Sequence, residues 1–492
     1  MAFRKLFLLF TVGLILTLGL SFSAIAKKKA SGDYIISGAG NLNAAINQAI
    51  NDVNPDLNAG VFVKSMTSGD TLFAKNASKV FVPASILKIF TAESALLYLG
   101  ADYRFTTNFL TDADSINNGV LNGNLYLVHS GDPSLTYIDL TDLMSQLKAK
   151  GIHTIKGNVF IDTTAYDQEI YGPGWLSNDI RFCYAAPISA SIINHNCLIF
   201  QIAPGKAIGR RANIIEDRKN YIAGVQNEVV TKARGSRSCN IRLGVDESHK
   251  ISLTGCMQKG HNAQGISTVI KDVINYNQSL MLNLFQRSGV QIQGNILLGV
   301  APTHAAVIAS HQSVPLRELI TQMLKKSDNI IAGSLFKKMG EIYMHQPGSW
   351  ENGSEAVTQI LKQKIGVNAW RMSVLDGSGL SRDNLISPEQ MMQVLNFAYH
   401  NNATNYDFIS GLPIAGIDGT LKHRMKNIAG KVRAKTGTMS MSGVVALAGY
   451  AISKDKEPIA FVIIVNGHVG MGWRYKELEN RIVTLLANYS RN

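Results

Sequence analysis

Three short motifs stand in order along this chain: Ser85-Ile86-Leu87-Lys88, Ser327-Asp328-Asn329 and Lys435-Thr436-Gly437. Their spacing constrains the fold more than any other feature. Ser85 and Ser327 lie 242 positions apart, whereas Ser327 and Lys435 lie 108 apart. If all three serve one site, the core that joins them carries a long insertion between the first and second. A chain of 492 residues has room for two or three domains.

Each motif has a chemical reading and an ordinary one. Ser-x-x-Lys recurs at Ser145/Lys148, Ser334/Lys337 and Ser453/Lys456, so the pattern alone is weak. Ser85 differs in its setting, after Val82-Pro83-Ala84 and at the start of an apolar helix containing Ile86, Ile89 and Phe90. One turn brings Lys88 onto the face of Ser85, and a helix N-terminus favours developing negative charge. A buried lysine beside a second cation gives up its proton and serves as a base. Ser327 suits a proton relay and Asn329 a grip on a peptide chain, yet the same residues are usual helix caps. Lys435, Thr436 and Thr438 suit a terminal carboxylate. Gly437 leaves room for a substrate strand, and a backbone N–H there can join that of Ser85 as an oxyanion hole. Otherwise this is an exposed edge strand. Lys88 is expected to be depressed in pKa and Lys435 to stay charged. Jointly the motifs point to acyl transfer by a serine nucleophile with a lysine base, needing no cofactor and no metal.

The N-terminus bears on compartment. Arg4 and Lys5 precede an uncharged run, Leu6–Ser23, then Ala24-Ile25-Ala26 and three lysines. This reads as a secretory signal peptide, residues 1–26, cleaved after Ala26. An uncleaved anchor helix is the other reading. Cys183, Cys197, Cys239 and Cys256 are even in number, which suits an oxidising compartment. The shortest loops pair Cys183 with Cys197 and Cys239 with Cys256. No Cys-x-x-Cys knuckle supports zinc. With 46% hydrophobic and 17% charged residues the chain is globular. Its formal charge of +13 is scattered, which argues against nucleic acid. Peripheral association with an anionic lipid surface or envelope polymer fits that charge.

The pattern along the chain gives a hairpin over 58–76 and a helix from Ser85. Short strand-like runs follow between about 102 and 305, among them Leu125–Val128 and Val159–Ile161. Helices return at Leu316–Leu324 and after Asn329. Strands are expected at Lys431–Thr438, Val444–Ile452 and Ile459–Val465, with a closing helix at Trp473–Asn488. The expected architecture is α/β: a discontinuous catalytic domain (27–101 and 306–492) interrupted by a mostly β insert (102–305).

Further segments carry a resemblance. They are Gly131-Asp132-Pro133, Asp376-Gly377-Ser378-Gly379-Leu380-Ser381-Arg382 and Pro413 through Leu421, with Trp175 through Cys183 and Leu316 through Asn329. From about residue 45 onward the chain resembles the low-molecular-mass class C penicillin-binding proteins, D-alanyl-D-alanine carboxypeptidase/endopeptidases of the penicillin-binding protein 4 type. His129-Ser130 and Leu176 depart from the usual glycines and proline. The resemblance implies a serine β-lactamase/transpeptidase-like core, an antiparallel sheet flanked by helices, with a two-domain insert. It implies peptidoglycan stem peptides as substrates, β-lactams as acylating inhibitors and a periplasmic location. It also assigns Asp179, Tyr184, Arg382 and Ser440 to the free amino-acid end of the stem's third residue, where an acid and an arginine suit an ammonium and a carboxylate. A β-lactamase or esterase on the same core, and a non-enzymatic penicillin sensor or wall-binding protein, are the competing functions.

Overall fold

A computed structural model describes residues 35–215, 225–245, 251–468, 470 and 472–492. The signal-peptide reading lies outside these residues. Helix α1 (Ala39–Val53) leads into the hairpin β1 (Ala59–Ser65) and β2 (Thr71–Lys75). A 3₁₀ turn, Ala84–Leu87, then feeds α2 (Lys88–Tyr98). Next come β3 (Thr106–Thr111), β4 (Leu125–Val128), α3 (Tyr137–Ala149) and β5 (Val159–Asp162). Short strands between Cys197 and Val269 form two smaller sheets. Then follow α4 (Val273–Ser288), β6 (Ile296–Leu298), β7 (Ala306–Gln312), α5 (Leu316–Lys326), α6 (Asn329–Met344) and α7 (Pro388–His400). Strands β8 (Val432–Met439), β9 (Val444–Ile452) and β10 (Pro458–Val465) precede the closing helix α8 (Trp473–Ala487).

The chain's two ends build one antiparallel sheet, ordered β8-β9-β10-β1-β2. Side chains alternate across a strand, and here both faces are covered. Ala446, Ala448 and Tyr450 pack toward α2, α5, α6 and α7. Val445, Leu447 and Ala451 pack toward α1 and α8. Burial on both faces explains the continuous apolar runs of β9 and β10.

The intervening segment is strand-rich, as expected, but α3 and α4 were not anticipated. They cover a mixed sheet ordered β6-β5-β4-β3-β7, in which β4, β5 and β6 run parallel. Parallel neighbours need a crossover, which α3 provides between β4 and β5. The sequence reading returns to the core at residue 306. However, β7 begins there and pairs with β3 through Gln312, so the sheet places 306–312 with the insert.

Both cysteine pairings are local: Cys183 with Cys197 (Cα–Cα 5.5 Å) and Cys239 with Cys256 (5.0 Å). No group of residues suited to a metal occurs among the described residues, nor any helix long and apolar enough to cross a membrane.

Candidate active site

Ser85 sits in the 3₁₀ turn, not in the α-helix proper. In such a turn residues i and i+3 eclipse, which brings Lys88 Nζ to 3.0 Å from Ser85 Oγ. Ala84, just before the serine, has φ 48°, an unusual conformation for a non-glycine residue. Gly379 backs onto it: a Cβ there would fall 1.9 Å from the Ala84 carbonyl oxygen. Gly437 approaches the same turn from β8, where a Cβ would lie 3.0 Å from the Pro83 oxygen and 3.1 Å from Ala84 Cβ. Gly437 therefore permits a close approach to the serine-bearing turn.

Lys88 is fully buried. Besides Ser85 it donates to Asn329 Oδ1 (2.6 Å) and to the Ser378 carbonyl (2.6 Å). Burial lowers its pKa to about 7, while Asp376 and Asp328 oppose the fall. A neutral amine can keep two of these bonds as donor and turn its lone pair toward the Ser85 hydroxyl.

Asp376 organises the loop that supplies the Ser378 carbonyl. Itself buried, it accepts from Trp175 Nε1, from Ser378, Gly379 and Ser381 backbone N–H groups, and from Asn384 Nδ2. The sequence reading used this segment only for resemblance. A carbonyl acceptor carries no residue identity, so only the Asp-Gly-Ser-Gly turn pattern could have indicated it.

Ser327 ends α5 in a left-handed conformation, φ 60°, and Asp328 caps α6 by accepting from Ile330 and Ile331 N–H. The capping reading of this motif holds for Asp328. Asn329 starts α6 and donates from Nδ2 to the Tyr184 carbonyl (2.7 Å). Lys435 Nζ donates to Ser327 Oγ (2.8 Å) and to the Thr436 carbonyl (2.8 Å). Burial and the neighbouring Lys88 push the pKa of Lys435 well down, because carboxylates lie near Lys88 while none offsets the burial of Lys435.

A cavity of about 310 Å³ opens over Ser85, Ser327 and Asn329. Thr438 and Ser440 line it from β8 and the turn after it, and Asp179, Tyr184 and Arg382 line it as well. There Arg382 Nη1 pairs with Asp179 Oδ2 at 2.6 Å, and the Tyr184 hydroxyl donates to Asp179 Oδ1 at 2.7 Å. The acid and the arginine thus face each other in one polar cluster. Thr436 stands outside the cavity lining. Its hydroxyl donates to Thr420 at 2.8 Å, in a loop that also contributes Asp418 to an ion pair with Lys325 of α5 (2.7 Å). Thr420 and Asp418 were missed as site supports. The other Ser-x-x-Lys pairs lack these neighbours: Lys337 pairs with Asp167, for example, and Ser334 Oγ with the Gly131 carbonyl.

This five-stranded sheet between helical layers is that of a serine β-lactamase/transpeptidase-like protein. The chain belongs to the D-Ala-D-Ala carboxypeptidase 3 (S13) family, which it matches over residues 42–489. It is 32% identical to D-alanyl-D-alanine carboxypeptidase DacB of Haemophilus influenzae, over 89% of this chain and 92% of that one. A D-alanyl-D-alanine carboxypeptidase from an Actinomadura species is also 32% identical, over 84% of this chain and 78% of that one. The crystal structure of penicillin binding protein 4 from H. influenzae superposes with a TM-score of 0.79 at 31% identity, covering 89% of this chain and 99% of the other. The same H. influenzae protein has been crystallised with a β-lactam.

Proposed function

We propose that this chain is a periplasmic serine D-Ala-D-Ala carboxypeptidase and D,D-endopeptidase, acting on peptidoglycan stem peptides and acylated by β-lactams. The observation that carries the reading is Lys88 Nζ, buried, 3.0 Å from Ser85 Oγ and with its remaining contacts fixed on Asn329 and Ser378. Neutral Lys88 takes the Ser85 proton as Oγ attacks the carbonyl between the two D-alanines. The backbone N–H groups of Ser85 and Thr438 receive the oxyanion. The C–N bond breaks, and the departing amine takes, relayed through Ser327, the proton that Lys88 gained, which leaves Lys88 neutral. Water then attacks the ester as Lys88 takes its proton, and that proton passes to Ser85 Oγ as the C–O bond breaks and the shortened peptide leaves.

Lys435, Ser327 and Thr438 form the carboxylate end of the site. A carboxylate arriving there would give Lys435 the counter-ion it lacks, raise its pKa and so hold Lys88 neutral. At the other end, Asp179, Tyr184, Arg382 and Ser440 receive the amino-acid terminus of the stem's third residue. Export follows cleavage after Ala26. The loss of Arg4 and Lys5 leaves a formal charge of +11, which attracts the protein to anionic wall polymer and lipid surface. Residues 35–101 and those after 312 form the catalytic domain.

Two measurements test this. Incubation with benzylpenicillin should leave a covalent adduct on the peptide containing Ser85, and Ser85→Ala should fold yet form none. Mass spectrometry of purified muropeptides should show loss of terminal D-alanine from the pentapeptide and cleavage of the cross-linked dimer. An adduct on Ser145, Ser334 or Ser453 would overturn the assignment.

A further inference from the structure

The segment 183–197 crosses the beginning of α6, and a disulfide closes it at its two ends. Three contacts fall at the start of that helix, two on its N-cap Asp328 and first residue Asn329 and one a turn further on at Gly333. The Tyr184 carbonyl, next to Cys183, accepts from Asn329 Nδ2 at 2.7 Å. Ile188 lies fully buried against Gly333, where an added Cβ would meet its Cγ1 at 2.9 Å. His195 Nδ1, two residues before Cys197, faces Asp328 Oδ2 at 3.6 Å. The other oxygen of Asp328 is engaged in capping α6, so His195 sits on the free side of the cap.

The backbone is shaped for this. Asn194, His195 and Asn196 all have positive φ, at 50°, 59° and 49°. Three consecutive non-glycine residues in that region are strained and persist only where surroundings over-determine them. Here Asn196 is fully buried and donates to the Pro187 carbonyl (3.0 Å), while Asn194 accepts from Tyr137 N–H (3.3 Å). The turn that presents His195 is thus locked within the strap by Asn196 and from α3 by Tyr137.

We propose that this disulfide-closed strap is a clamp that sets the position of Asp328 and Asn329, with His195 as its positioning residue. Nothing in the strap need touch the scissile bond for this role. It fixes the helix start that carries Asn329, and through Asn329 the Lys88 amine. A shift of about 1 Å in such a group can cost up to 100-fold in rate. The insert then has a catalytic purpose: it holds the second motif from outside the core.

The inference rests on the acyl-enzyme reading above. If the wild-type enzyme formed no Ser85 adduct, that reading would fail. If the wild type reacted normally and the strap variants did too, only the clamp would fail. The test measures the second-order rate of acylation by a fluorescent penicillin and the thermal midpoint, on the full chain. Cys183→Ser/Cys197→Ser should slow acylation roughly tenfold. Cys239→Ser/Cys256→Ser, removing the other bridge of the same insert, should lower the midpoint and leave the acylation rate at the wild-type value. His195→Ala should slow acylation severalfold with an unchanged midpoint, and His195→Lys, which places a donor beside Asp328 Oδ2, should recover it. A rescue by that donor separates positioning from general loss of structure. If the first double variant does not fold, His195→Ala and His195→Lys decide alone. Wild-type acylation by folded Cys183→Ser/Cys197→Ser, or by His195→Ala, overturns the proposal.

Discussion

Two lysines of equal formal charge share one buried site, and their surroundings give them different work. Lys88 has its pKa lowered to about 7, so its neutral, proton-accepting form is lost as pH falls through that value. Acylation should therefore rise from pH 6 to pH 8 and level off above it. Lys88→Arg keeps a proton at any working pH and should lose acylation by about 10²–10⁴-fold. Lys435→Arg should retain part of the rate and show its main defect in substrate binding. The check is the second-order acylation rate of both variants and the wild type across pH. A wild-type-like Lys88→Arg would remove Lys88 as the base. Ser85, Lys88, Ser327, Asn329 and Lys435 were legible because each is one member of a fixed motif. Asp376 and the Ser378 carbonyl were not, since their contribution is to hold a backbone oxygen against Lys88.

At the scale of elements, the sequence and the structure agree best where burial is two-sided. Strands β8, β9 and β10 fall within a residue of expectation, and for β9 and β10 the reason is that near-continuous apolar runs ended by turns have few alternatives. Helix α3 was missed although Leu140, Leu143, Met144 and Leu147 recur at helical spacing and are buried. Its signal lies among strand-like runs, and a capping box at Thr136 and Asp139 was the cue to use. The 3₁₀ turn at 84–87 was unreadable because tertiary contacts from Gly379 and Gly437 impose it. That dependence is testable. Gly379 has φ 79°, and a Cβ there would collide with the Ala84 carbonyl. Gly379→Ala should cost at least about 1 kcal/mol from the backbone conformation alone. It should also slow acylation far more than that loss of stability explains, by displacing the turn that holds Ser85. Thermal unfolding and acylation rates on the same preparation separate the two effects. An unchanged acylation rate would show that the turn does not depend on Gly379.

Across the whole molecule, polar groups are buried at the junctions between layers, and the chemistry tolerates this only where each group has a partner. Lys337 of α6 is such a case, held by Asp167 and the Glu169 carbonyl from the insert. Glu93 of α2 is only half provided for. Thr404 donates to its Oε1 at 2.6 Å, while Oε2 is buried with no hydrogen-bond partner among the described residues. Burial raises its pKa to about 7, and the Thr404 bond opposes the rise. The linkage has a definite sign. Between the unfolded value near 4.5 and the folded value near 7 the native state holds the proton and the unfolded chain does not. The stability from this group is therefore full below about pH 4.5 and lost as pH rises through 7. Glu93→Gln keeps an acceptor for Thr404 and has no charge to bury. Relative to wild type, this variant should be more stable at pH 8 than at pH 5 by roughly 2–3 kcal/mol. Denaturant unfolding of both proteins at the two pH values measures it, and other titrating groups cancel in the difference. An equal difference at both pH values would mean that Glu93 is ionised in the core at pH 5, and that a partner for Oε2 supplies the compensation.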